Sequence, residues 1–115
     1  MKENNDVAHD CKKTILAVHD VMDVIGGKWK ISIVAALSFG TRRYTDILKE
    51  VNGISGKMLS RELKEMEADQ LISRTVMDTH PVTVQYELTE YGKTLRPIIN
   101  QLASWGFEHR KRLFG

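Results

Sequence analysis

The chain has 115 residues, 42% apolar and 28% charged, which suits one packed domain and excludes a disordered low-complexity tail or a two-domain protein. No apolar stretch approaches the ~20 residues that cross a bilayer, and the polar, acidic start carries no signal-peptide core, so a cytoplasmic protein without a membrane partner is expected. The formal charge of +2 names no partner, but residues 28–74 hold nine basic and six acidic side chains, so the positive excess sits mid-chain, where it suits either a polyanion or a solvated face.

Residues 1–13 show no apolar periodicity and are expected to form a flexible arm. From Thr14 to Ile25, the residues Leu16, Val18, Val21, Met22 and Ile25 recur at helical intervals until Gly26-Gly27 breaks the run. A second helix carries Trp29, Ile31, Ile33, Val34 and Leu37, apolar on most sides and therefore central, and ends near Gly40. A third starts after Tyr44, with Thr45 as N-cap and Asp46 favouring the dipole in its first turn, and stops at Asn52-Gly53. The fourth has the strongest local signature: Ser55 as N-cap, Ile54 stapled on Leu59, then the stripe Leu59, Leu63 and Met66.

Two strands follow, Ile72 to Met77 and Val82 to Thr89, joined by a short loop holding Pro81. In the second, Val82, Val84, Tyr86 and Leu88 share one face. From Glu90 onward the pattern is helical again, with Leu95, Ile98, Ile99, Leu102 and Trp105 on one side and Pro97 either early in the helix or kinking it. The expected fold is mainly α with a small β-hairpin: one winged helix-turn-helix domain over residues 1–115.

A DNA-reading helix packs one side on its own domain and offers polar side chains to base edges on the other. The fourth helix meets that description, with Lys57, Arg61 and Lys64 at successive i+4 and i+3 steps and Ser55 and Ser60 beside them. The same helix also reads as a surface helix laced by ion pairs to Glu62, Glu65 and Glu67. Its setting between a turn and a hairpin favours DNA. Arg42 and Arg43, before the third helix, are candidates for phosphate contacts. Thr79, His80 and Thr83 near the hairpin tip, with Arg74 on the first strand, are candidates for flanking DNA.

No nucleophile elbow or phosphate-cradling glycine loop is present, so neither an enzyme nor a cofactor is expected. The single cysteine, Cys11, excludes an intrachain disulfide framework, and with His9 it supplies two ligands, short of a zinc site. Lys12 and Lys13 follow it and favour the thiolate, so Cys11 is either a candidate redox thiol or an incidental reduced cysteine. The apolar stripe from Leu95 to Trp105 either packs back on the domain or forms a two-fold dimer contact, which would set two reading helices about 34–36 Å apart.

Several motifs in order carry a family resemblance: Asp23-Val24-Ile25-Gly26-Gly27-Lys28-Trp29, Gly40-Thr41-Arg42-Arg43-Tyr44, Gly53-Ile54-Ser55-Gly56-Lys57-Met58-Leu59-Ser60, Leu63-Lys64-Glu65-Met66-Glu67-Ala68-Asp69, Val84-Gln85-Tyr86-Glu87-Leu88-Thr89-Glu90-Tyr91-Gly92 and Leu95-Arg96-Pro97. Together, over roughly residues 20–106, they resemble the HxlR-type family of bacterial winged-helix transcriptional regulators. The resemblance implies a homodimer built by the first and last helices, so that Leu16 joins the stripe at the dimer interface. It implies that residues 55–64 read operator DNA and that the hairpin is the wing. Members of that family often carry a Cys-Pro pair ten positions before the first glycine of the Gly-Gly pair; here that position is Leu16, and the cysteine is Cys11. The expected function is a sequence-specific DNA-binding regulator under thiol or small-molecule control. The alternative is a winged-helix module that binds another protein, and salt-dependent binding to duplex DNA separates the two.

Overall fold

The computed structural model describes residues 2–115, with side chains from Ala8 onward. Helices α1 (Lys2–Ile25) and α2 (Lys28–Leu37) are followed by the short strand β1 (Arg42–Arg43) and by α3 (Tyr44–Glu50) and α4 (Gly56–Ala68). The hairpin β2 (Ile72–Met77) and β3 (Thr83–Leu88) then leads to α5 (Glu90–Lys93) and α6 (Arg96–Phe114). The winged helix-turn-helix order expected from the sequence is the order found.

Several boundaries differ, each for a local reason. Helix α1 starts at Lys2 rather than Thr14 and runs through the segment assigned to a flexible arm. Met1 lies outside the described residues. The N-cap of α3 is Arg43, not Thr45: the Asp46 carboxylate accepts from the Arg43 backbone N–H at 3.1 Å and so satisfies the helix start two residues earlier. Proline 97 neither interrupts nor kinks a long helix. It falls in the first turn of α6, where a missing N–H costs nothing, and α5 is a separate turn before it.

Strand β1 is an addition. Arg42 pairs with Tyr86 and Arg43 with Gln85, so the hairpin becomes a three-stranded antiparallel sheet in the order β1-β3-β2. Two residues carry no periodicity from which a strand can be read. The hairpin register runs from Ile72 opposite Leu88 to Met77 opposite Thr83.

The core is made by Ile33, Val34 and Leu37 of α2, Ile47 of α3, and Leu59, Leu63 and Met66 of α4, all essentially buried. Leu71, Ile72, Tyr86 and Leu88 close it from the sheet side. The apolar stripe read for α4 is therefore the face on which that helix packs. Helix α4 ends in a paired-turn cap: Leu71 N–H donates to the Met66 carbonyl and Gln70 N–H to the Glu67 carbonyl, each at 3.0 Å. Gln70 takes the left-handed conformation (φ 62°) that glycine usually supplies there. Gly92 admits the next close approach, because a Cβ at that position would collide with the Leu71 carbonyl. Thr89 Oγ1 fastens the same corner, donating to the Gln70 carbonyl at 2.7 Å and accepting from Gly92 N–H at 2.9 Å.

Candidate nucleic-acid interface

The first turn of α4 is held open to solvent by its cap, in which Ser55 Oγ accepts from Met58 N–H at 3.1 Å. With Leu59, Leu63 and Met66 directed inward, Lys57, Ser60, Arg61 and Lys64 are exposed along one side. The Arg61 side chain is 70% exposed, with Nε 3.7 Å from Glu65. The acidic residues of α4 do not neutralise this row as a ladder of i,i+4 pairs. Glu62 and Glu65 both point back to Lys30 on α2, Glu62 at 2.7 Å.

That bridge fastens α4 to α2 and polarises its members. Hydrogen bonds donated to Glu62 and then to Glu65 hold the Lys30 ammonium above its ordinary range, and the bond from Lys30 holds the Glu65 carboxyl below its own. Asp46 is likewise lowered, chiefly by the Arg43 guanidinium.

Between α4, the start of α3 and the sheet lies an open cleft of about 600 Å³. It is lined by Arg43, Ser60, Lys64, Arg74 and Thr83 with Tyr44, Thr45, Glu67, Val82, Val84 and Tyr86. Five of the candidate residues, distant in sequence, thus meet on one surface. Lys57 and Arg61 line a second shallow groove on the same helix that also touches Ser60 and Lys64. Among the described residues Lys57, Lys64 and Arg74 make no ion pair.

The other candidates lie apart from the cleft. Arg42 alternates with Arg43 along β1; its Nε sits 3.1 Å from both carboxylate oxygens of Glu50 and lines a different surface depression beside α2. Thr79 and His80 are exposed in the hairpin loop, where Thr79 Oγ1 donates to the Pro81 carbonyl at 2.8 Å. Tyr44 was not singled out from the sequence. Its hydroxyl reaches the Gly56 carbonyl at 2.9 Å and Ser60 Oγ at 3.1 Å, contacts across a turn that no local pattern announces.

The apolar stripe of α6 divides. Ile99 is buried in the domain core and so is not free to serve a partner, while Leu95, the N-cap residue of α6, is partly buried against that core. Ile98, Leu102 and Trp105 stay exposed, with Trp105 stacked on His109 at 5.0 Å. On α1, Leu16 is exposed together with Ile15, Val18, Val21 and Met22. Cys11 is exposed on the same helix. Among the described residues, no helix is long and apolar enough to cross a membrane.

Known proteins share this architecture. The family model described as HxlR-like helix-turn-helix matches residues 24–113. The HTH-type transcriptional regulator YtcD of Bacillus subtilis is 40% identical over 104 residues, covering 90% of this chain and 82% of YtcD. An HTH-type transcriptional regulator of Methanothermobacter thermautotrophicus is 38% identical over 92 residues, 80% of this chain and 70% of its own. Among solved structures, the redox regulator HypR in its reduced form superposes with a TM-score of 0.78 at 38% identity, covering 84% of this chain and 96% of that one. The reach and specificity of these matches establish that the chain belongs to the HxlR-like helix-turn-helix family of transcriptional regulators.

Proposed function

We propose that this protein is a cytoplasmic transcriptional regulator that binds a roughly palindromic operator as a homodimer, with α4 in the major groove and the β2–β3 wing on flanking DNA. One observation carries the DNA reading: a capped, exposed helix N-terminus and an open cleft flanked by Lys64 of α4 and Arg74 of β2, cations that make no ion pair among the described residues. Lys64 and Arg74 supply phosphate contacts, joined by Arg43 when it releases Asp46, and the outward side chains of residues 55–64 supply sequence selectivity. Thr79, His80 and Thr83 meet flanking DNA from the wing. Arg42 contributes to that surface only if it gives up Glu50.

The homodimer is supported by α1 and α6, which carry more exposed apolar surface than one domain can cover. The interface proposed is Leu16, Ile98, Leu102 and Trp105. Control through a thiol is proposed at Cys11, which is exposed on α1 ahead of two lysines.

The test is a fluorescence-anisotropy titration on duplexes from the gene's upstream region and on a scrambled duplex, at two salt concentrations. Preference for the upstream duplex that falls steeply with salt supports the regulator. Absence of binding even at low salt favours the protein-interaction alternative. Repeating the titration after electrophile treatment, with Cys11→Ser alongside, tests the thiol: an unchanged response in the variant removes Cys11 from the mechanism.

A further inference from the structure

The contacts of Tyr44 decide which way a hydrogen bond runs at the centre of the proposed reading surface. Its hydroxyl lies 2.9 Å from the Gly56 carbonyl and 3.1 Å from Ser60 Oγ. A carbonyl oxygen only accepts, and a phenol has one hydrogen, so Tyr44 donates to Gly56. The remaining contact must then be donated by the Ser60 hydroxyl to the Tyr44 oxygen. Ser60 has no second hydrogen, and the side of Oγ that faces away from Tyr44 carries lone pairs alone.

Ser60 is exposed, and it sits between Lys57 and Lys64 on the same side of α4, next to Arg61. Its three charged neighbours are donors. Ser60 is the neutral member of the row, turned by Tyr44 into an acceptor. An acceptor gains nothing from a phosphate oxygen, which has no hydrogen to give. In the major groove the donors are the cytosine N4 and adenine N6 amino groups, whereas guanine presents N7 and O6 and thymine O4, all acceptors.

We propose that Ser60 is a specificity-determining residue that selects cytosine or adenine at one operator position, and that Tyr44 is the positioning residue that sets its polarity. The proposal rests on the DNA-reading role of α4 and deepens it. Tyr44 does not touch the base; it acts through the hydrogen it withdraws from the outer face of Ser60.

The experiment measures anisotropy of the full-length protein against the preferred upstream duplex and against the set of its single-base-pair changes, with thermal melts by circular dichroism as the folding control. Ser60→Ala should lose about three- to tenfold of discrimination at one base pair carrying cytosine or adenine toward the helix, with the salt slope unchanged. Tyr44→Phe frees the Ser60 hydrogen and should relax the same base pair, admitting guanine or thymine, while discrimination elsewhere persists. Ser60→Thr, which keeps the hydroxyl and the relay, should retain the wild-type preference even if Tyr44→Phe proves too unstable to assay. A Ser60-dependent position that prefers guanine or thymine overturns the proposal. So does uniform weakening of all duplexes by Ser60→Ala with no change of base preference, the mark of a phosphate contact. Failure of the unmodified protein to bind any duplex overturns the DNA reading itself, a result distinct from either of these.

Discussion

Arg61 and Lys64 are neighbours on one helix face, yet their surroundings assign them different work. Arg61 projects into solvent, its one ion pair among the described residues being to Glu65 at 3.7 Å, so its planar fork is available for a bidentate contact with guanine. Lys64 shares the cleft with Arg43 and Arg74 and has the point charge suited to a phosphate. Arg61→Ala is therefore expected to weaken binding to the preferred duplex by about 1–3 kcal/mol and to relax preference at one base pair. Lys64→Ala is expected to weaken all duplexes alike and to reduce the salt slope by about one. Anisotropy across duplex variants and salt concentrations distinguishes them; an even loss for Arg61→Ala would reassign Arg61 to the backbone.

At the scale of elements, α4 is held from two sides. Its apolar stripe packs on α2, and the Lys30 bridge to Glu62 and Glu65 secures the rim of the same contact. The pH dependence follows from the direction of each shift. Glu65 and Asp46 lie below their ordinary values of 4.5 and 3.8, so what they contribute is present above those values and is lost as pH falls through the lowered ones. Lys30 is raised above 10.5, so its contribution is present below that value and is lost as pH rises through the raised one. The melting temperature should stay level near neutrality and fall in acid below about pH 4. Lys30→Met returns Glu65 toward its ordinary value and should make the acid fall shallower. Melts recorded from acid to neutral pH decide this, and parallel curves for the two proteins would remove the bridge from the account.

At the scale of the molecule, the radius of gyration is 17.6 Å, against about 13 Å for a compact chain of this length. The excess comes from α1, exposed on every side from Ala8 to Asp23, and from the distal half of α6. Long helices with Leu16, Met22, Leu102 and Trp105 in water are unfavourable alone and suit a shared interface. Leu102→Glu, at a side chain 49% exposed in the single chain, should spare the domain core while shifting the protein from dimer to monomer. Sedimentation velocity reports the mass. Binding to a two-half-site duplex should weaken with the loss of the dimer, since each monomer then engages one half-site. A monomeric wild type would instead leave the apolar face to another partner.

The elements whose signals are local were legible in the sequence. The apolar stripe, N-cap and staple of α4 lie within a dozen residues of one another, and the alternation of Val84, Tyr86 and Leu88 is written in one strand. Those signals place Lys57, Arg61 and Lys64 on an exposed face before any tertiary contact is known. Features that depend on chain-distant neighbours emerged only with the packed fold. Strand β1 exists only because β3 passes beside Arg42 and Arg43, and that pairing sends Arg43 to the cleft and Arg42 to Glu50. Ile99 and Leu95 left the exposed stripe because packing selected which side of α6 faces inward. The direction of the Ser60 hydrogen bond was decided by Tyr44, sixteen residues away in sequence. Periodicity records which side of an element is apolar, whereas the partner that covers it and the hydrogen that turns toward it are set by distances across the fold.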